Sequence, residues 1–423
     1  MKSNSGKKLI KSTVFSLILL IPFVFYGCTK HQEEVADITD PNDVSDVSKE
    51  SVPDYETQKK SIEEQCERIV DLYFDYYVTA EKLPPQNAWD DFSLSNESIS
   101  HIEDILVAAG YHVLISNGAY PEYLEDSEAF LNFWESAQQG ENVKYEIVHI
   151  APSGALSYQL FLCENGTAHY CSMIYSFDQE DVPFVFNFEL HTILDWELSD
   201  KGNFYFRIYP AGDKHYADYA LIRLYPPDEE LYDMTEKYIS TIGYNAVNFF
   251  LINWSEQDFG AVSFNDLWDA LYFKRYGQQF VPDDYGLHTD PYSYQIPADE
   301  FESIILPYFN INLNELRTKA HYNAEGNYYP WRPFLTNDVV WYYYPTTFPK
   351  VTSYRMNADG TMTLSVEVLS TDLKTDCLFS HDVTVRLLEN GSFQYVGNQI
   401  TYQTEYGLPP AESRFEVDEM GIH

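Results

Sequence analysis

Side chains with the means to do chemistry are scattered along this 423-residue chain. Glu189, His191 and Asp195 are all odd-numbered, so on one alternating strand they share a face. Carboxylate, imidazole and carboxylate on one face make either a metal site or an ordinary polar sheet face. Ser380-His381-Asp382 holds the residue types of a hydrolytic triad. Triad members converge from separate elements, so a contiguous run reads as a turn or a strand edge. Asp90-Asp91 and Asp283-Asp284 resemble the carboxylate pair of a glycosidase, but with 66 acidic residues such neighbours follow from composition. Asp283, Asp284 and Asp290 lie in one loop without the closing Glu of a calcium loop, and read as solvated acids. No H-E-x-x-H, G-x-S-x-G or phosphate loop occurs. We assign no catalytic residue, no metal ligand and no cofactor.

Aromatic residues are the richest anomaly: 36 Tyr, 27 Phe and 7 Trp, crowded in HYNAEGNYYPWRPF and VVWYYYP. Two readings stand for region 322–345. Its rings form a platform on which sugar rings stack, or they pack between a helical layer and a sheet with hydroxyls kept wet. The ligand-binding candidates are Tyr328, Tyr329, Trp331, Trp341 and Tyr343.

The start of the chain gives Cys28 a different role. Lys2, Lys7, Lys8 and Lys11 precede an uncharged run, Thr13 to Tyr26, too short for a membrane span and interrupted by Pro22. Gly27-Cys28 closes it, and this resembles the lipobox of bacterial lipoproteins, with Phe25 and Tyr26 where that pattern prefers Leu and a small residue. The resemblance implies a thiol carrying a diacylglyceryl group after cleavage of residues 1–27, and an anchor on the extracytoplasmic face of the cell membrane. Two acyl chains hold where one does not, at about 0.8 kcal/mol per buried CH₂. The formal charge of −40 repels a phosphate backbone, so no nucleic acid partner is expected.

These residues must be positioned by the elements that follow. Residues 28–56 hold nine acids and two lysines and read as a disordered acidic tether. From 57, Ile62, Cys66, Ile69, Val70, Tyr73 and Tyr77 recur at helical spacing. A second helix is capped by Asn96 or Ser98 and stops at Gly110, and a third opens at Pro121 and ends at Gly140. Six apolar or alternating runs between 144 and 225 read as one antiparallel meander. Asn165-Gly166 is a two-residue hairpin turn that sets Cys163 opposite Ala168 and Cys171 opposite Leu160, on opposite faces, so the two thiols form no disulfide. Helices return at Asp228, at Ser263 (a cap for Asp266), at Pro297 and at Asn312, and strands again from Thr346. The class is α+β: two successive modules of helices followed by an antiparallel meander, 57–225 and 226–402, and a loose tail, 403–423.

The stretches YISTIGYNAVNFFLINWSEQDFGAVSFNDLWDALYF and MNADGTMTLSVEVL with VTVRLLENGSFQYVGNQI resemble a family of uncharacterised surface lipoproteins from Clostridia-type Gram-positive bacteria. The resemblance covers most of the chain after about residue 60 and implies no known activity, cofactor or catalytic residue. The expectation is a lipid-anchored extracytoplasmic protein with a binding or envelope-support role, and a cell-envelope glycan or protein as partner. A glycan- or peptide-binding protein using region 322–345 and a hydrolase using acidic residues are the alternatives.

Overall fold

The computed structural model describes residues 55–84, 92–116, 122–208, 218–244, 247–278, 280, 288–290, 293–332, 346–410 and 414. It is an α+β structure that divides into two compact units between Thr192 and Ile193. Among the described residues, no helix is long and apolar enough to cross a membrane.

The first unit begins with helix α1 (Tyr55–Tyr77), whose buried residues are Ile62, Cys66, Ile69, Val70, Tyr73 and Tyr77, the stripe its spacing predicts. A two-strand ladder, β1 (Lys82–Leu83) with β2 (Ser93–Leu94), leads to α2 (Asn96–Ala108). The cap of α2 is Ser95, whose hydroxyl accepts from Ser98 N at 3.1 Å, so neither Asn96 nor Ser98 is the cap. Strand β3 (Leu114–Ile115) pairs with β4 (Tyr123–Leu124). The third helix therefore does not open at Pro121: α3 (Ser127–Gln138) starts after the side chain of Asp126 accepts from Ala129 N at 3.0 Å. Four strands follow as a meander: β5 (Val143–Ile150), β6 (Leu156–Glu164), β7 (Thr167–Phe177) and β8 (Pro183–Thr192). One face carries Val148, Ile150, Leu156, Tyr158, Leu160, Cys171, Met173 and Tyr175, and packs with α1 and α2 into a single core. Each such side chain contributes about 1.5–3 kcal/mol by leaving water. Helix α3 lies against β5 through Phe130 and Phe133, whose rings meet Tyr145 and Phe161 on the other face.

The β5–β6 turn is fixed by Gly154. Its φ is +83°, and a Cβ there would stand 2.6 Å from Tyr77 Cε2. Its carbonyl also accepts from the Tyr73 hydroxyl at 3.2 Å. Gly154→Ala is expected to lower the stability of this unit by about 2 kcal/mol, from backbone strain and displacement of the Tyr77 ring together. A urea midpoint unchanged from wild type would contradict that account.

The second unit starts with β9 (Asp195–Leu198), β10 (Asn203–Ile208) and β11 (Asp218–Arg223), antiparallel neighbours in that order. The six runs between 144 and 225 are thus β5–β8 in one unit and β10 and β11 in the other. Helix α4 (Glu229–Thr235), capped by Asp228, runs into a π-helical turn, Glu236–Ser240. A π turn lacks regular i→i−4 bonds. Here the Tyr395 hydroxyl donates to Tyr238 O at 2.7 Å, and Lys274 donates to Lys237 O. Burial brings the Lys274 ammonium down to about 8. Then come β12 (Trp254–Ser255), α5 (Phe264–Tyr276) capped by Ser263, β13 (His288–Asp290), β14 (Ser293–Pro297), α6 (Ala298–Ile305), α7 (Leu313–Lys319) capped by Asn312, and β15 (Tyr328–Trp331). Strands β16 (Thr347–Met356), β17 (Thr361–Ser370), β18 (Thr375–Leu387) and β19 (Phe393–Gln403) finish the fold, with β12 added beside β19. Met362, Leu364, Val366 and Val368 of β17 and Phe379, Val383 and Val385 of β18 face the core. The helices cover that face with Phe249, Phe250, Phe264, Trp268 and Phe301.

Tyrosine fills much of both cores, and its hydroxyls reach defined acceptors. Tyr145 donates to Asp126 O at 3.2 Å, Tyr205 to Asp376 Oδ1 at 2.8 Å, and Tyr329 to Glu302 Oε1 at 2.9 Å. A buried ring whose oxygen is satisfied gains the area of Phe without an orphaned polar atom.

Candidate functional site

The sheet of the first unit brings polar side chains together on the face that carries Phe161. Register sets Gln159, Ser172 and Glu189 side by side across β6, β7 and β8, and Phe161, Tyr170 and His191 in the next row. Paired residues of an antiparallel sheet point to the same side, with Cβ atoms about 5 Å apart. The second row is apolar where α3 lies over it, and the first is polar.

Glu189 and His191 meet as their i, i+2 spacing predicts. His191 Nε2 and Glu189 Oε2 are 3.1 Å apart, and Asn187 Nδ2 donates to Glu189 Oε1 at 3.0 Å. The hydrogen bond with His191 holds the Glu189 carboxyl below its ordinary range against burial, with help from Asn187. Glu189 is therefore an ionised, oriented carboxylate whose side chain is 25% exposed. Burial, and then the charge of Glu189, push the Tyr170 phenol up, so it stays protonated and acts as a donor rather than a base. The Gln159 side chain is buried, and its Oε1 has no hydrogen-bond partner. On the β5 edge of the same face, His149 Nε2 lies 3.4 Å from Glu122 Oε1, both buried.

Asp195 does not join this group. The first unit's sheet ends at Thr192, and Asp195 belongs to β9, where its carboxylate takes the Lys374 ammonium at 2.5 Å. The turn between the strands breaks the parity on which the three-residue face depends. Among the described residues, no group of three or more His, Cys, Asp or Glu side chains is gathered as a metal ion needs.

Ser380, His381 and Asp382 alternate along β18 rather than forming a turn. Ser380 Oγ bonds Thr401 Oγ1 at 2.8 Å and Asp382 accepts from Ser365 Oγ at 2.8 Å on one face. His381 points into the core, fully buried. Asn398 Nδ2 donates to Phe250 O and Ile252 O, so its Oδ1 is the acceptor that His381 Nδ1–H meets at 2.7 Å. Nε2 is then bare and accepts from the Tyr244 hydroxyl at 2.8 Å. This histidine is a neutral strut between strand and helical layer.

The aromatic candidates separate. Tyr329 and Trp331 alternate inward from β15 and are buried. Tyr329 stacks on Phe301 at 4.1 Å, and Trp331 meets Trp268 at 5.9 Å and Phe280 at 5.1 Å. Packing is what the structure shows for these two rings, and their faces are taken. Tyr328, on the other side of the strand, is half-buried with its hydroxyl accepting from Asn323 Nδ2 at 3.1 Å. Trp341, Tyr343, Cys28, Asp90, Asp91, Asp283 and Asp284 lie outside the described residues. Cys163 and Cys171 hold the expected register, opposite Ala168 and Leu160, and are free thiols.

Two charge clusters carry no local signal in the sequence. Arg386 grips Glu256 with both terminal nitrogens, at 2.9 and 2.8 Å. Arg414 donates to Asp266 Oδ1 at 3.0 Å, to Asp269 at 2.9 and 3.1 Å and to Arg332 O at 3.0 Å. The sequence reads 403–423 as a loose tail, and Arg414 within it is held on α5.

A family model described as a family of unknown function, DUF6070, matches residues 59–414. No curated protein and no solved structure matches the chain.

Proposed function

The chain belongs to this family of unknown function, and from that premise we propose that it is an extracytoplasmic lipoprotein, anchored through Cys28, with a binding or envelope-support role rather than a catalytic one. One observation carries the reading: an uncharged run that ends at Gly27-Cys28 and gives way at once to an acidic, polar stretch. A thiol at that point exchanges the leader for acyl chains, and the net charge, −40 for the full chain and four more negative without the lysines of residues 1–27, then stands off the anionic membrane surface. The non-catalytic half of the reading draws on the described groups with catalytic potential, which are engaged structurally. His381 is a core strut and Glu189 is bonded by His191 and Asn187.

Cells fed labelled palmitate are expected to label the wild-type chain and leave Cys28→Ala unlabelled and released from the membrane fraction. An unlabelled wild-type chain recovered in the soluble interior of the cell overturns the reading.

A further inference from the structure

We propose that the row Gln159–Ser172–Glu189 on the four-stranded sheet is a binding site for the primary ammonium group of a small ligand. The inference goes beyond the anchoring role and stands whether or not the chain is lipidated.

Two acceptors stand in this row with lone pairs to spare. Glu189 is ionised, and each of its oxygens accepts one hydrogen bond, from His191 and from Asn187, which leaves further lone pairs on both. The Gln159 amide oxygen is without a donor although the residue is 2% exposed. A buried amide oxygen left unbonded is costly, so the position selects for something that donates to it. Ser172 separates the two long side chains in the cross-strand row. Its own side chain is short and hydrogen-bonds Tyr170. The Tyr170 ring stands in the adjacent row on the same face.

An ammonium group supplies what this arrangement lacks: three donors and one positive charge on a compact centre. Gln159 Oε1 takes one donor, and the Glu189 carboxylate takes another together with the charge. A hydroxyl supplies one donor and no charge and leaves Glu189 uncompensated. A water beside Gln159 would also satisfy its oxygen, given two to four polar partners, and is the rival that the experiment must separate.

The test is calorimetric titration of the full chain with ethylammonium and with glucosamine, each beside its uncharged counterpart, ethanol or glucose. Saturable binding of both amines and none of the alcohols is expected at millimolar concentration. Glu189→Gln keeps the shape and removes the charge, and Gln159→Met keeps the bulk and removes the acceptor. Each is expected to weaken amine binding about tenfold, or 1.4 kcal/mol, with the melting temperature of the free chain retained for Glu189→Gln. Flat titrations, equal binding of glucose and glucosamine, or variants that bind as wild type each overturn the proposal. If the variants do not fold, the His191 ring resonance of the wild-type chain decides. A shift that saturates with ethylammonium supports the site, and an unmoved resonance overturns it and leaves the Gln159 oxygen to water.

Discussion

Replacing Arg414 with alanine is expected to lower the stability of the second unit by about 3–5 kcal/mol, the cost of leaving a buried carboxylate without its partner. Asp266 is the group at risk, since its side chain is 2% exposed. Arg414 gives it Nε at 3.0 Å and its own backbone N–H at 3.1 Å, and the guanidinium spans on to Asp269. Alanine keeps the backbone donor and removes the charge. Arg414→Lys keeps the charge without the planar fork that serves both aspartates, so its loss falls between wild type and alanine. Trp268 sits on α5 between the two aspartates, so urea unfolding followed by tryptophan fluorescence reads the event where it happens. A loss below about 1 kcal/mol would place the cluster among screened surface ion pairs and refute its burial.

Acid is expected to weaken the second unit through His381. Burial lowers the imidazole from 6.5 to about 4, against smaller opposing effects from Asn398 and Asp382. The core around it is Tyr244, Phe250 and Phe379, with no carboxylate among those rings to stabilise a cation. The unfolded chain takes up its proton near pH 6.5, the folded chain only near 4. Between those values the unfolded state holds more protons, so stability falls as pH falls, by about 3 kcal/mol in all. Below about 4 both states are protonated and this group adds nothing further. Glu189 and Glu256, held below the ordinary carboxyl range by His191 and Arg386, act lower on the scale. Stability curves at stepped pH should therefore slope between 6.5 and 4 in wild type and lie nearly flat there in His381→Gln. Equal slopes in both chains would remove His381 as the cause.

How much of this was written in the sequence depends on how far apart the interacting residues lie. The buried stripe of α1 is readable because it repeats every three or four residues and needs no knowledge of its partner. Ser263 and the Asn165-Gly166 turn are readable for the same reason, since their hydrogen bonds close within a few residues. The start of α3 misleads because Pro121 suits a first helical turn, while Asp126 holds the capping oxygen. The break after Thr192 is hidden because Ile193 and Leu194 continue the apolar run, and alternation does not say which strand a strand takes as neighbour. In the candidate site, the Glu189–His191 pair follows from spacing along β8. Gln159 is brought to it only by the β6–β7 and β7–β8 registers. Arg414 and Asp266 stand 148 positions apart, and Arg386 and Glu256 130, so no periodicity links them.

The tyrosine hydroxyls described above bear on how this interior chooses one arrangement among many. Aromatic discs of similar size slide and exchange places at little expense, and an interior built of phenylalanine alone tolerates several near-equivalent fits. An oxygen at the rim gives a disc an address: Tyr395 is correct only when it reaches the carbonyl of Tyr238, and Tyr329 only when it reaches Glu302. A shifted fit strands that oxygen in a dry place, with a penalty that a greasy contact does not carry. The abundance of tyrosine in this chain thus serves as a keying system, in which uniqueness of the folded state is written in oxygen atoms and bulk in carbon.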